Sequence, residues 1–142
     1  MTNLRNSRPI ALDFDGVICD SMKECMHVAF GAYSGGKPLP APFVRYFERY
    51  RYLVRPAREY WLIVEAYFRG IDPLSQGEFD MLARDCEEQL KAFEPVYFET
   101  REALRSADFE GWISLHRLYR QFADGWPRLE ASTIPYVVTT RD

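Results

Sequence analysis

Ile10-Ala11-Leu12-Asp13-Phe14-Asp15-Gly16-Val17-Ile18-Cys19-Asp20-Ser21 opens as an apolar run and closes on two aspartates and a glycine. A short apolar segment bounded by a turn predicts a buried parallel strand over residues 9–14. Two carboxylates two residues apart at the mouth of such a strand are a poor structural choice. Like charges at close quarters raise each other's cost of ionisation unless a cation or a proton lies between them. The pair makes sense as metal ligands and reacting groups. Gly16 follows at once and lets the chain turn tightly.

Beyond that turn, Asp20 or Ser21 is placed to cap a helix whose apolar positions Met22, Cys25, Met26, Ala29, Phe30 and Tyr33 follow helical spacing. The Gly- and Pro-rich run over 34–42 breaks it into a loop. From 43 to about 123 the pattern is helical. Phe43, Phe47, Tyr50, Val54, Ala57 and Trp61 share a face, with a new helix starting at Pro56 and stopping at Gly70. Ser75-Gln76-Gly77-Glu78 is a capping-box pattern. It opens a stripe of Phe79, Leu82, Ala83, Cys86, Leu90 and Phe93 that Pro95 is expected to end. Two further helical stretches are expected over about 96–108 and 110–123, and Asp124-Gly125-Trp126-Pro127 is expected to start a short one. Ile134-Pro135-Tyr136-Val137-Val138-Thr139 is a second apolar strand ending in a hydroxyl.

Strand, long helical stretch, strand predicts a mixed α/β protein that is mostly helical by residue count. The two strands belong to a partial parallel core (1–20 and 124–142), and residues 21–123 form an inserted all-helical bundle. Two parallel strands alone expose edges and bury little, so further strands are expected from beyond residue 142 or from another chain, and with them a homo-oligomer or a missing C-terminal core segment.

At 142 residues with 47% hydrophobic and 15% aromatic side chains, the chain is long and apolar enough for a globular core. A net charge of −3 offers no general attraction to nucleic acid or anionic membrane, and no apolar run approaches membrane-spanning length. Cys19, Cys25 and Cys86 lack paired spacing, and with His27 and His116 the only histidines a zinc site is not expected. Reduced thiols and the absence of an apolar leader fit a cytoplasmic protein. Arg45, Arg49, Arg51, Arg55 and Arg58 interleave with Tyr46, Tyr50, Tyr52 and Tyr60, a pattern also found in nucleic-acid binders. Glu48 and Glu59 among them favour a solvated helix face, and a sharper alternative has one arginine reaching an anionic substrate. His27 and His116 read as structural residues on helical stripes.

Residues Asp13 to Ser21 resemble the first signature of the haloacid dehalogenase-like (HAD) hydrolases, and Tyr136-Val137-Val138-Thr139-Thr140 resembles the second. The resemblance covers residues 9–21 and 134–140, and the helical stretch matches the family's cap in position and character. It implies a Rossmann-like parallel core with a cap inserted after the first motif. It implies an aspartyl-phosphate mechanism in which Asp13 is the nucleophile and Asp15 the general acid, then the general base. Mg²⁺ would take the Asp13 carboxylate and the Asp15 backbone carbonyl. Gly16 would lie beside the phosphate. Thr139, or Thr140 one register on, would bind a phosphoryl oxygen; the competing reading of Thr139 is a strand-end hydroxyl that satisfies backbone. Dehalogenating members usually lack the second aspartate, so Asp15 favours a phosphatase acting on a small phosphorylated metabolite.

The family also uses a third-motif Lys or Arg and a fourth-motif acidic pair, and after the second motif this sequence has only Arg141 and Asp142. The 142-residue chain is therefore expected to turn over little or no substrate alone. The alternatives are a non-catalytic HAD-like binding protein and an assembly whose partner completes the core.

Overall fold

Parallel pairing of two strands far apart in sequence organises the chain. In the computed structural model, which describes residues 8–139, β1 (Arg8–Asp13) runs beside β4 (Thr133–Val138) in register, with Ile10 opposite Pro135 and Asp13 opposite Val138. Between them the order is β2 (Cys19–Asp20), α1 (Met22–Ser34), α2 (Ala41–Tyr50), α3 (Tyr60–Phe68), α4 (Gln76–Asp85), α5 (Glu87–Ala107), α6 (Phe109–Ser114), β3 (Arg117–Leu118) and α7 (Arg120–Ser132). The protein is a mixed α/β chain and mostly helical, as its sequence predicts.

The chain forms two compact units. One is Met22–Ile113, and the described residues on either side of it form the other. The second division falls after Ile113, not after residue 123 as the sequence pattern suggests. The reason is β3, which pairs antiparallel with β2, Cys19 opposite Leu118 and Asp20 opposite Arg117. Tyr119 N–H also donates to the Ile18 carbonyl at 3.1 Å. Residues 114–123 thus belong with the strands.

In the helical unit, α1, α3 and α5 pack on one another, and the apolar stripes meet in one core. Val28, Phe43, Phe47, Leu62, Ile63 and Tyr97 are fully buried there. Rings stack through it: Phe47 on Tyr60 at 5.7 Å and Tyr60 on Tyr97 at 5.4 Å between centroids. Burying a side chain of this size stabilises by about 1.5–3 kcal/mol, so this core outweighs any single polar contact in the unit.

Three helix boundaries differ from the sequence pattern. Pro95 lies inside α5 and does not end it. The buried stripe Leu90, Phe93, Tyr97 runs straight through that point, and packing overrides a proline on the exposed face. The break falls instead at Cys86, which has φ −115° and ψ 24°. The helix expected over 110–123 is split by β3, because backbone pairing with β2 replaces helical bonds there. As a result α7 begins at Arg120 and contains both Gly125 and Pro127, so the expected start at Asp124 falls inside a helix.

The strands are paired as expected but not buried. In β1 only Ile10 and Leu12 are partly covered, and Tyr136, Val137 and Val138 of β4 are 57%, 55% and 58% exposed. Among the described residues two strands make the parallel sheet, and α7 packs against β4.

The capping box at Ser75 is formed in full. Ser75 Oγ accepts from the Glu78 N–H at 3.2 Å, and Glu78 Oε2 accepts from the Ser75 N–H at 2.8 Å. Ser75→Ala is expected to lower the unfolding free energy by about 1 kcal/mol, measured by urea denaturation of the full chain.

Candidate functional site

The register of β1 on β4 places Asp13 opposite Val138, so Asp13 and Thr139 leave the sheet at the same edge. The two sequence motifs therefore meet in space. Asp13 is exposed at the strand end, Asp15 is half-buried, and Thr139 directly follows β4 and is exposed. Thr140, the alternative phosphate ligand, lies outside the described residues.

The turn between Asp13 and Cys19 is held by backbone. The Phe14 carbonyl accepts from both the Ile18 and the Cys19 N–H, at 3.1 and 3.0 Å, and the Gly16 N–H donates to the Cys19 carbonyl at 2.9 Å. Gly16 sits at φ +83°, in the left-handed region, and a Cβ built there would meet nothing within 4 Å. Glycine is needed here for its conformation and not for lack of room. The turn directs Asp15 towards Ser21, whose hydroxyl donates to Asp15 Oδ1. Ser21 is buried, and its hydroxyl fixes the Oδ1 oxygen of Asp15. By its place before α1, Ser21 reads only as a helix cap; the six-residue return of the turn that brings it to Asp15 carries no local signature.

Around this turn, Phe14 meets His116 edge-on at 6.4 Å between ring centroids, and Arg117 pairs with Asp20 at 2.9 Å. His116 is therefore not on a helix; it lies in the connection before β3. An apolar hollow of about 530 Å³ opens beside the turn, lined by Phe14, Ile18, Leu118, Phe122, Trp126 and Val137 among others.

A hard divalent cation prefers oxygen donors. Asp13 and Asp15 supply oxygen donors of the kind Mg²⁺ prefers. Among the described residues no group of three or more His, Cys, Asp or Glu side chains converges. By donor type, the Asp13 carboxylate and the Asp15 carbonyl suit such a cation.

The helical unit accounts for the remaining candidates. Tyr46, Tyr50 and Tyr60 are core residues, with the Tyr46 hydroxyl donating to the Ile71 carbonyl and the Tyr50 hydroxyl to Asp72. Burial pushes the Tyr46 phenol well up from its ordinary value. Arg51 lies over the Tyr60 ring at 4.9 Å, Arg49 pairs with Asp72, and Tyr52 is 73% exposed. The interleaved rings thus serve packing more than a stacking platform. Cys19, Cys25 and Cys86 are buried thiols outside any disulfide, and among the described residues no helix is long and apolar enough to cross a membrane.

No family model matches this chain, and no curated protein and no solved structure is similar enough to count as a match.

Gly16→Ala is expected to lower stability by about 1–2 kcal/mol, the cost of a left-handed non-glycine residue, read by urea denaturation. In the helical unit, burial and then Lys23 hold the His27 imidazole below its ordinary value of 6.5. The unfolded chain then takes up that proton first, so the stabilisation is full above the unfolded value and is lost as pH falls through it towards the folded one. The melting temperature is expected to drop between about pH 7.5 and about pH 5.5, and His27→Gln is expected to flatten that slope.

Proposed function

We propose that the strand-bearing unit is a phosphoryl-transfer centre of the HAD type, a phosphatase acting on a small phosphorylated metabolite, with the helical unit as its cap. The observation that supports this most is the in-register pairing of β1 with β4, with Asp13 opposite Val138 and Thr139 next in line. A nucleophilic carboxylate and a phosphate-binding hydroxyl must lie within one phosphate's reach, and adjacent parallel strands ending together supply that.

On this reading Asp13 attacks phosphorus and forms an acyl phosphate, while the leaving oxygen takes a proton from Asp15. Asp15 then removes a proton from the water that cleaves the acyl phosphate, which returns Asp13 as carboxylate and releases phosphate. Ser21 holds Asp15 in place through its hydroxyl. Thr139 donates to a phosphoryl oxygen, and Gly16, at φ +83°, lets the chain turn directly after Asp15. Asp13 and the Asp15 carbonyl would hold Mg²⁺, which supplies charge screening between the carboxylate and the phosphate.

On this reading a stoichiometric acyl phosphate is expected to form faster than it turns over. The chain is incubated with acetyl phosphate and Mg²⁺ and its intact mass measured. One phosphoryl group should be transferred from acetyl phosphate to the protein, releasing acetate, with the adduct mapped to Asp13 and absent in Asp13→Asn. Absence of the adduct, or an equal adduct in Asp13→Asn, would overturn the proposal and favour a non-catalytic binding role.

A further inference from the structure

Glu24, in the first turn of α1, is fully buried. A carboxylate is costly there unless each oxygen is met by a donor. Arg101 Nε, from α5, lies 2.7 Å from Oε1, and its Nη2 lies 3.3 Å from Oε2. Trp112 Nε1, from α6, lies 3.4 Å from Oε1. Arg101 is itself largely covered, sits 4.8 Å over the Tyr97 ring and donates to the Tyr97 hydroxyl at 2.8 Å. Among the described residues no buried side-chain polar atom lacks a partner, so the carboxylate is fully served.

The position of these residues in the chain gives the cluster its interest. Glu24 is the third residue of the helical unit and Trp112 the last but one. The carboxylate therefore bridges the segment by which the chain enters the unit and the segment by which it leaves. α6 also lacks the usual means of attachment. None of its residues is buried, and Phe109 and Ile113 are 55% and 44% exposed. A six-residue helix with so little apolar burial is far too short to persist on its own propensity, so the bond from the Trp112 indole to Glu24 weighs heavily in holding it.

We propose that Glu24 is a latch that keeps the entering and leaving ends of the helical unit together, with α6 held through the Trp112 indole and Arg101 seating the carboxylate. A latch of this kind makes the unit close on itself: the point of exit is fixed by the point of entry, whatever happens in the loops between. It differs from a buried ion pair that only joins α1 to α5, because it predicts a local effect at α6.

Hydrogen exchange of the full chain, read by mass spectrometry, separates these roles. Trp112→Phe keeps a ring and removes the indole donor. Exchange across residues 109–113 is expected to quicken about fivefold, the effect of one ordinary hydrogen bond, while amides in α3 and α5 stay unchanged. Glu24→Gln leaves Arg101 without its counter-charge, and α6 exchange is expected to quicken about tenfold or more, with a lower melting temperature. Unchanged α6 exchange in Trp112→Phe overturns the latch, even where Glu24→Gln lowers the melting temperature or fails to fold. Faster exchange at α6 alone sustains it.

Discussion

The parallel, in-register pairing of β1 with β4 is the constraint on which the rest depends. Parallel neighbours cannot be joined by a tight turn, so the chain between Asp13 and Thr133 must leave the sheet edge and come back to its other end. That demand makes room for an inserted helical unit. The same pairing ends both strands at one edge, so the chain leaves the sheet there at Asp13 and again at Thr139. Fold and candidate chemistry are two consequences of one register. A one-residue slip would turn every β4 side chain to the opposite face and move Thr139 off the Asp13 edge.

Two kinds of energy hold the helical unit, with different roles. The ring stack of Phe47, Tyr60 and Tyr97 and the aliphatic residues around it supply most of the stabilisation. The Glu24–Arg101 pair adds little net stability, since two desolvated charges roughly offset their own attraction. Removing one partner alone would cost about 3–5 kcal/mol, because the other charge stays buried. The core makes the unit stable, and the pair dictates which of its elements meet.

Much of the fold is legible in the sequence where the signal is local. Ser75 and Glu78 announce a helix start by residue type and spacing, and the structure shows both bonds of the capping box. The apolar run into Asp13 announces a strand and Gly16 a turn, since only glycine takes φ +83° without strain. What sequence cannot show is set by partners far along the chain. β3 exists because Arg117 lies across from Asp20, 97 positions away, and that pairing splits a segment whose own periodicity is helical. Pro95 reads as a helix end because its neighbours' burial on the opposite face is invisible in one dimension. The candidate site divides the same way. Asp13, Asp15 and Gly16 stand out by type and spacing, whereas the support that Ser21 gives Asp15 depends on how the turn folds back.

Distance measurement across the strand ends tests the central claim most directly, that Asp13 and Thr139 are neighbours on adjacent parallel strands. Nuclear Overhauser contacts between backbone protons of isotope-labelled chain would read the register. The account predicts contacts linking Leu12 and Asp13 with Val137, Val138 and Thr139 in a parallel pattern. An antiparallel pattern, or a register that carries Thr139 away from Asp13, would contradict it and remove the geometric basis for shared phosphate binding.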